Sequence, residues 1–210
     1  GDAQAAAVAA LGAFHRHAPE LVTTISSVLE SSRWEARKMA IGALRKFGMY
    51  ASTEVPSLLE CINDSDENVR IASAKALGQI GWDHDMTLPT LLESAKSPYE
   101  NTREAAVVAL GELGEHAVSA VPTLLECLKD QHRVRVAAVS ALGMVATTAS
   151  DAFVNKVLAQ LVECLQDKNK YIRIAVCEAL LSLSTSVFPA PALFVCLRDE
   201  SERVRNTALE

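Results

Sequence analysis

Aromatic side chains make up only 5% of this 210-residue chain, although half of its residues are hydrophobic. The apolar content is therefore mostly alanine, leucine and valine, which suits close-packed helices better than a β-sandwich. Long hydrophobic runs are missing as well. The longest, AAAVAALGAF near the N-terminus, has about ten residues, against the roughly 18 that a membrane span requires. No signal peptide is apparent, and a membrane partner is not expected. There is no excess of positive charge: the formal net charge is −6 and the pI near 5.4, which argues against nucleic acid as the main partner while leaving a local basic patch open. Glycine-rich phosphate loops, a G-x-S-x-G elbow, an HExxH pair and clustered carboxylates are all absent. No catalytic residue and no cofactor site is assigned on that basis. Five cysteines, an odd number, fit reduced thiols in the cytosol, or in the nucleus, better than a secreted disulfide framework.

What is present is repetition. Ala-Leu pairs within helical stretches place leucines at Leu11, Leu44, Leu77, Leu110, Leu142 and Leu180, with spacings of 33, 33, 33, 32 and 38 residues. Seven residues before five of them stands an arginine (Arg37, Arg70, Arg103, Arg135, Arg173), and Arg205 opens a further copy. Only the first copy differs, with Gln4. A second motif recurs about 22 residues before the middle leucines: VPSLLECI from Val55, LPTLLESA from Leu88, VPTLLECL from Val121 and LAQLVECL from Leu158. Each unit thus holds two helices. The first is headed by a proline (Pro56, Pro89, Pro122, Pro191), whose missing N–H is harmless in an opening turn. A polar bend such as NDSDEN or KDQHR precedes the second. In the second helix, residues 105, 106, 109, 110 and 113 are Ala, Ala, Ala, Leu and Leu, an apolar stripe of period 3.6. Glycines after the leucine (Gly12, Gly78, Gly111, Gly143) remove bulk, as a tight helix crossing requires.

The proline-headed first helix, the aspartate and arginine around the bend, and the A-x-x-A-L-G of the second helix resemble HEAT repeats of the short, regular kind. The resemblance covers practically the whole chain. It implies an all-α, right-handed α-solenoid of about six stacked antiparallel helical hairpins. The expected units are a partial repeat over 1–20, repeats over 21–54, 55–87, 88–120, 121–157 and 158–190, and a partial repeat over 191–210. Because both ends fall inside second helices without polar caps, the array is expected to be part of a longer one. The resemblance also implies a structural ladder in which the aspartate at each bend pairs with the arginine of the next repeat, drawn from Asp64, Asp130, Asp167 and Asp199 with Arg70, Arg103, Arg135, Arg173 and Arg205. Ser31 and Ser97 stand where the aspartate would be, so the ladder is expected to break there. The 38-residue step, lengthened by ATTASDAF from Ala146 to Phe153, is the expected loop insertion.

Four cysteines (Cys61, Cys127, Cys164, Cys196) share one slot of the first helix. Stacking would set them one repeat apart, on the order of 10 Å, too far to share a zinc ion whose ligands sit about 2.3 Å away. No metal site is expected. His15, His17, His84, His116 and His132 are scattered, and the paired His-Glu dipeptides of the iron-dependent hydroxylases built on HEAT repeats do not occur.

The family resemblance places the second helices on a concave face. On that face the rows Lys38–Gly42–Lys46, Ile71–Lys75–Gln79, Glu104–Val108–Glu112, Val136–Ser140–Met144 and Ile174–Glu178–Ser182 should point outward, four residues apart along each helix. The face starts basic, passes through an acidic row and ends apolar. Val108, Val136, Ser140, Met144, Ile174 and Glu178 are the candidate contacts for a partner protein, an extended peptide or a helix in the groove. Val136, Met144 and Ile174 could instead tuck between repeats, and both readings stand at this point. The expected function is a non-catalytic scaffold or adaptor. Two alternatives are carried beside it. The run W-E-A-R resembles the first bend of TOG domains, HEAT arrays that grip tubulin, which would make Arg33, Trp34, Arg133 and Lys170 a gripping ridge, although the bends NDSDEN and SPYEN lack basic residues. Nucleic-acid binding would rest on Lys38, Arg45 and Lys46 with Lys168 and Lys170, without the stacking platforms such sites use.

Overall fold

The computed structural model describes residues 17–83, 85–147, 151–183 and 190–209. Gln4, Leu11, Gly12, His15, His84 and the centre of the 146–153 connection lie outside the described residues. Among the described residues all regular structure is helical. The chain forms two compact units, Gly1–Thr87 and Leu88–Glu210, and the division falls between two of the repeats read from the sequence.

In the first unit the chain is helical over 17–26 (α1), followed by α2 (Trp34–Phe47), α3 (Val55–Glu60) and α4 (Glu67–Ile80). Pro56 sits in the opening turn of α3, where no N–H is needed. Asp66 caps α4 by accepting the Asn68 backbone N–H at 2.8 Å. Gly48 ends α2 with φ of +56°, a backbone state that a β-carbon would strain. It turns the chain into a short 3₁₀ segment, Gly48–Glu54, that delivers α3. α2 packs on α4, and α3 packs on α4.

The second unit repeats the plan: α5 (Thr87–Ser94), α6 (Glu100–Glu112), α7 (Val121–Cys127), α8 (His132–Ala146), α9 (Asp151–Glu163), α10 (Lys170–Ser182), α11 (Ala190–Leu197) and α12 (Glu202–Thr207). Gly114, with φ of +55°, plays the part of Gly48 between α6 and α7. Successive second helices pack side by side, α6 on α8, α8 on α10 and α10 on α12.

The register leucines are the centre of both cores. Leu44, Leu77, Leu110 and Leu142 have no exposed surface, and Leu180 is 1% exposed. Leu58, Leu124 and Leu161 from the first helices are also fully buried. At roughly 1.5–3 kcal/mol per fully buried leucine, this column is a large favourable term, and no single hairpin could bury it alone. The glycines next in register have a steric explanation. A β-carbon on Gly111 would lie 2.8 Å from Ala141 Cα, and one on Gly143 would lie 2.8 Å from Ala179 Cβ. The missing methyl and the facing alanine together let α6 approach α8, and α8 approach α10.

Candidate functional site

Among the arginines that stand seven residues before a register leucine, Arg37, Arg103 and Arg173 each make two sets of bonds, one to their own bend and one to the aspartate of the next. In the first unit Arg37 donates from Nη1 to the Ser31 carbonyl at 2.8 Å, within its own bend, and from Nε and Nη2 to both Asp64 carboxylate oxygens at 2.7 Å. In the second unit Arg103 grips Asp130 in the same bidentate way at 2.7 Å and donates to the Ser97 carbonyl. Arg135 pairs with Asp167. Arg173 pairs with Asp199 at 2.7 and 2.9 Å and reaches Glu200 at 3.1 Å. Each bond set ties one bend to the next, about 27 residues on.

The ladder departs from the expectation in direction: each aspartate pairs with the arginine of the preceding repeat and not of the next. Asp64 takes its ion pair from Arg37, which the sequence reading had left out, whereas Arg70 bonds the carbonyls of Asp64 and Ser65. Arg205 likewise bonds the Asp199 and Glu200 carbonyls. The register arginines at 37 to 205 carried the signal, because the aspartate of one bend serves the arginine of the preceding repeat. Burial alone would raise the Asp64 carboxyl, but the Arg37 hydrogen bonds, the Asp66 N–H and the nearby guanidinium charges outweigh it and hold the group below its ordinary value. The Arg103 hydrogen bond does the same for Asp130, and the Arg173 hydrogen bond for Asp199. The ladder ties successive bends of each unit together.

The outward rows lie on the second helices. In the second unit Met144 is 41% exposed, and Ser140 and Glu178 are exposed, while Val108 and Val136 are half-buried. Ile174 is only 7% exposed, so it faces the interior and is withdrawn from the candidate contacts. The physical reason is that α10 packs on both α8 and α12. Glu104 is tied to Arg133 at 3.0 Å. In the first unit Lys38, Lys46, Ile71, Lys75 and Gln79 are exposed, and Gly42 lies between Lys38 and Lys46 on the same face.

Arg33 and Trp34 lie in the first unit, where Arg33 is the N-cap of α2 and Trp34 its first residue, 37% exposed. The Lys38 ammonium stands 5.9 Å from the Trp34 ring centroid, a cation–π contact along one turn of helix. Arg133 and Lys170 lie in the second unit. Arg133 is engaged with Glu104, and Lys170 stands 5.4 Å from the Tyr171 ring.

Burial raises the thiols of Cys61 and Cys127 to about 11, so they are thiols and not thiolates at neutral pH. One relation among the cysteines was not apparent from the sequence: Cys177 on α10 and Cys196 on α11 are both buried where these two helices pack, near enough to perturb each other's titration. Cys177 lies outside the shared slot, so only packing brings the two together. Among the described residues no group of three or more His, Cys, Asp or Glu could hold a metal ion, and no helix is long and apolar enough to cross a membrane.

A family model described as HEAT repeats matches residues 55–143, 89–180 and 132–210. The comparison with curated proteins returns no match. Among solved structures, an engineered protein is similar over 90% of this chain and 95% of its own, with a TM-score of 0.55 and 20% identity. A designed armadillo repeat protein in complex with the peptide (KR)4 is similar over 89% of this chain and 95% of its own, at TM-score 0.52 and 17% identity. A structure of the complex of CpcE and CpcF of phycocyanin lyase from Nostoc sp. PCC7120 is similar over 75% of this chain and 96% of that one, at TM-score 0.58 and 24% identity.

Proposed function

Since the chain belongs to the HEAT-repeat family and folds as an α-solenoid, we propose that it is a non-catalytic protein-binding scaffold, whose second-helix face receives an extended or helical segment of a partner protein. The observation that carries this reading is the row on α6, α8 and α10: Val108, Val136, Ser140, Met144 and Glu178 present a mixed apolar and polar strip, with Met144 41% exposed where a solvent-facing helix position ordinarily carries a polar residue. A methionine adapts its shape to a partner more readily than a branched side chain does. The designed armadillo neighbour bound to a peptide is a precedent for the architecture, though at its identity it speaks to fold alone. The absence of an enzymatic role is part of this proposal. It rests on the raised buried thiols and on the use of the arginines and aspartates for the ladder.

The ridge reading would need Arg133, which is engaged with Glu104. The test of the scaffold reading is a pull-down with the whole chain against its Met144→Glu and Val136→Glu, Met144→Glu variants. Partner proteins retained by the wild type should be lost from both variants while their thermal midpoints stay close to wild type for Met144→Glu. Equal recovery by all three forms would refute the proposed face.

A further inference from the structure

A cavity of about 280 Å³ opens between α2 and α4 of the first unit. Three cations line it, Lys38 and Arg45 from α2 and Lys75 from α4, together with Gly42, Asn68 and Ile71. No carboxylate is among the lining residues, and the three cations form no ion pair with any described residue. Lys38, Gly42 and Arg45 are spaced i, i+4, i+7, and Asn68, Ile71 and Lys75 i, i+3, i+7, so each set shares one helix face. Gly42 sits at the middle. A β-carbon there would meet nothing within 4 Å, in contrast to Gly111 and Gly143. Its lack of a side chain therefore serves no crossing, and its effect is to leave the cavity open.

We infer that this cavity is a second docking site, for an acidic segment of a partner protein, with one of its carboxylates seated among Lys38, Arg45 and Lys75 and an adjoining aliphatic side chain on Ile71. The site lies in a different unit from the Met144 row and stands independently of that reading. Charge complementarity selects the ligand. Three cations without an ion-pair partner among the described residues line one depression in a chain of net charge −6, so a short acidic stretch is attracted locally while a long polyanion is repelled by the rest of the molecule. A nucleic acid would need a continuous basic track and open stacking rings. None of the residues lining the cavity is aromatic, and the Trp34 ring on α2 already has Lys38 over it.

The experiment is fluorescence anisotropy with the whole chain and a labelled short peptide of alternating Glu and Leu, compared with the same peptide carrying Gln for Glu and with a single-stranded oligothymidylate. The acidic peptide should bind saturably and weaken as salt rises from about 50 mM to about 500 mM. Lys75→Glu should weaken it by about tenfold or more. Gly42→Gln keeps every charge, fills the cavity and improves helix propensity; it should weaken binding to a similar extent with the circular dichroism spectrum unchanged. Lys156→Glu, a charge reversal at an exposed position of α9 outside both faces, should leave binding unaltered. The inference is overturned by any of four results: no saturable binding, equal binding of the Gln peptide, oligothymidylate binding as tightly as the acidic peptide, or wild-type affinity in Gly42→Gln.

Discussion

Replacing Gly143 with alanine and, separately, Gly42 with alanine should move stability in opposite directions, though both glycines lie inside second helices, one directly after Leu142 and the other two places before Leu44. In an exposed helix interior, glycine costs about 1 kcal/mol relative to alanine, so each substitution begins with a gain of that size. At Gly42 nothing opposes it, because the new β-carbon has no neighbour within 4 Å; the expected net gain is about 0.5–1 kcal/mol. At Gly143 the new β-carbon would stand 2.8 Å from Ala179 Cβ and 3.1 Å from Ala179 Cα, where ordinary contact begins at 3.4 Å. A methyl and a backbone carbon cannot swing aside, so α8 and α10 must part by several tenths of an ångström. Overpacking of this kind costs about 1–3 kcal/mol, plus whatever packing is lost beside Leu142 and Leu180. The net expectation is a loss of about 1–2 kcal/mol, a fall of roughly 2–8 °C in the thermal midpoint for a chain of this length, against a rise of a few degrees for Gly42→Ala. Scanning calorimetry of the three proteins in one buffer measures both. A Gly143→Ala protein as stable as wild type, or a destabilised Gly42→Ala protein with unchanged oligomeric state, would refute the steric account of the register glycines.

The buried ladder makes a second expectation. Removing Arg173, 5% exposed, leaves Asp199 with a half-buried charge, and Arg173→Met should cost about 3 kcal/mol in urea denaturation, with Arg173→Met, Asp199→Leu recovering much of it. The ladder also sets the acid limit. Asp64, Asp130 and Asp199 have folded pKa values below their unfolded ones, so their contribution is complete above about pH 4 and is lost as pH falls through the folded values. Circular dichroism should therefore show no change in the midpoint from these groups between pH 7 and 5, and a decline below pH 4. At Ile174 and Met144 charge insertion separates interior from surface: Ile174→Glu should lose about 3 kcal/mol or more for a carboxylate forced into the core, whereas Met144→Glu should stay within about 0.5 kcal/mol of wild type. Cys61 and Cys127, with thiols at about 11, should resist alkylation by iodoacetamide in the native protein near pH 8, as read by intact-mass spectrometry, and react on unfolding.

The repeat, its two helices and its leucine column could be read from spacing alone, since Leu44, Leu77, Leu110, Leu142 and Leu180 are all buried in the structure. Periodicity is a property of the chain and needs no coordinates. The outward positions were readable for the same reason at Met144, Ser140 and Lys75, which are exposed, but not at Ile174. Its register is that of Val136, and its burial comes from helices on both sides of α10, which a one-dimensional pattern does not contain. The ladder shows a similar division. The arginines and aspartates were visible, but which arginine serves Asp64 depends on how one bend overlies the next, and the structure gives that place to Arg37.

The sequence by itself determined that the chain is a series of helical hairpins with one apolar stripe per second helix, because the 3.6-residue period and the 33-residue repeat follow from side-chain order alone. Only the tertiary structure decided what each register position does. Gly143 abuts Ala179 of the next second helix, Ile174 is core although half-buried Val136 holds the same register, and three cations from two helices share one cavity. Those distinctions are set by the distance between neighbouring helices, which no single repeat encodes.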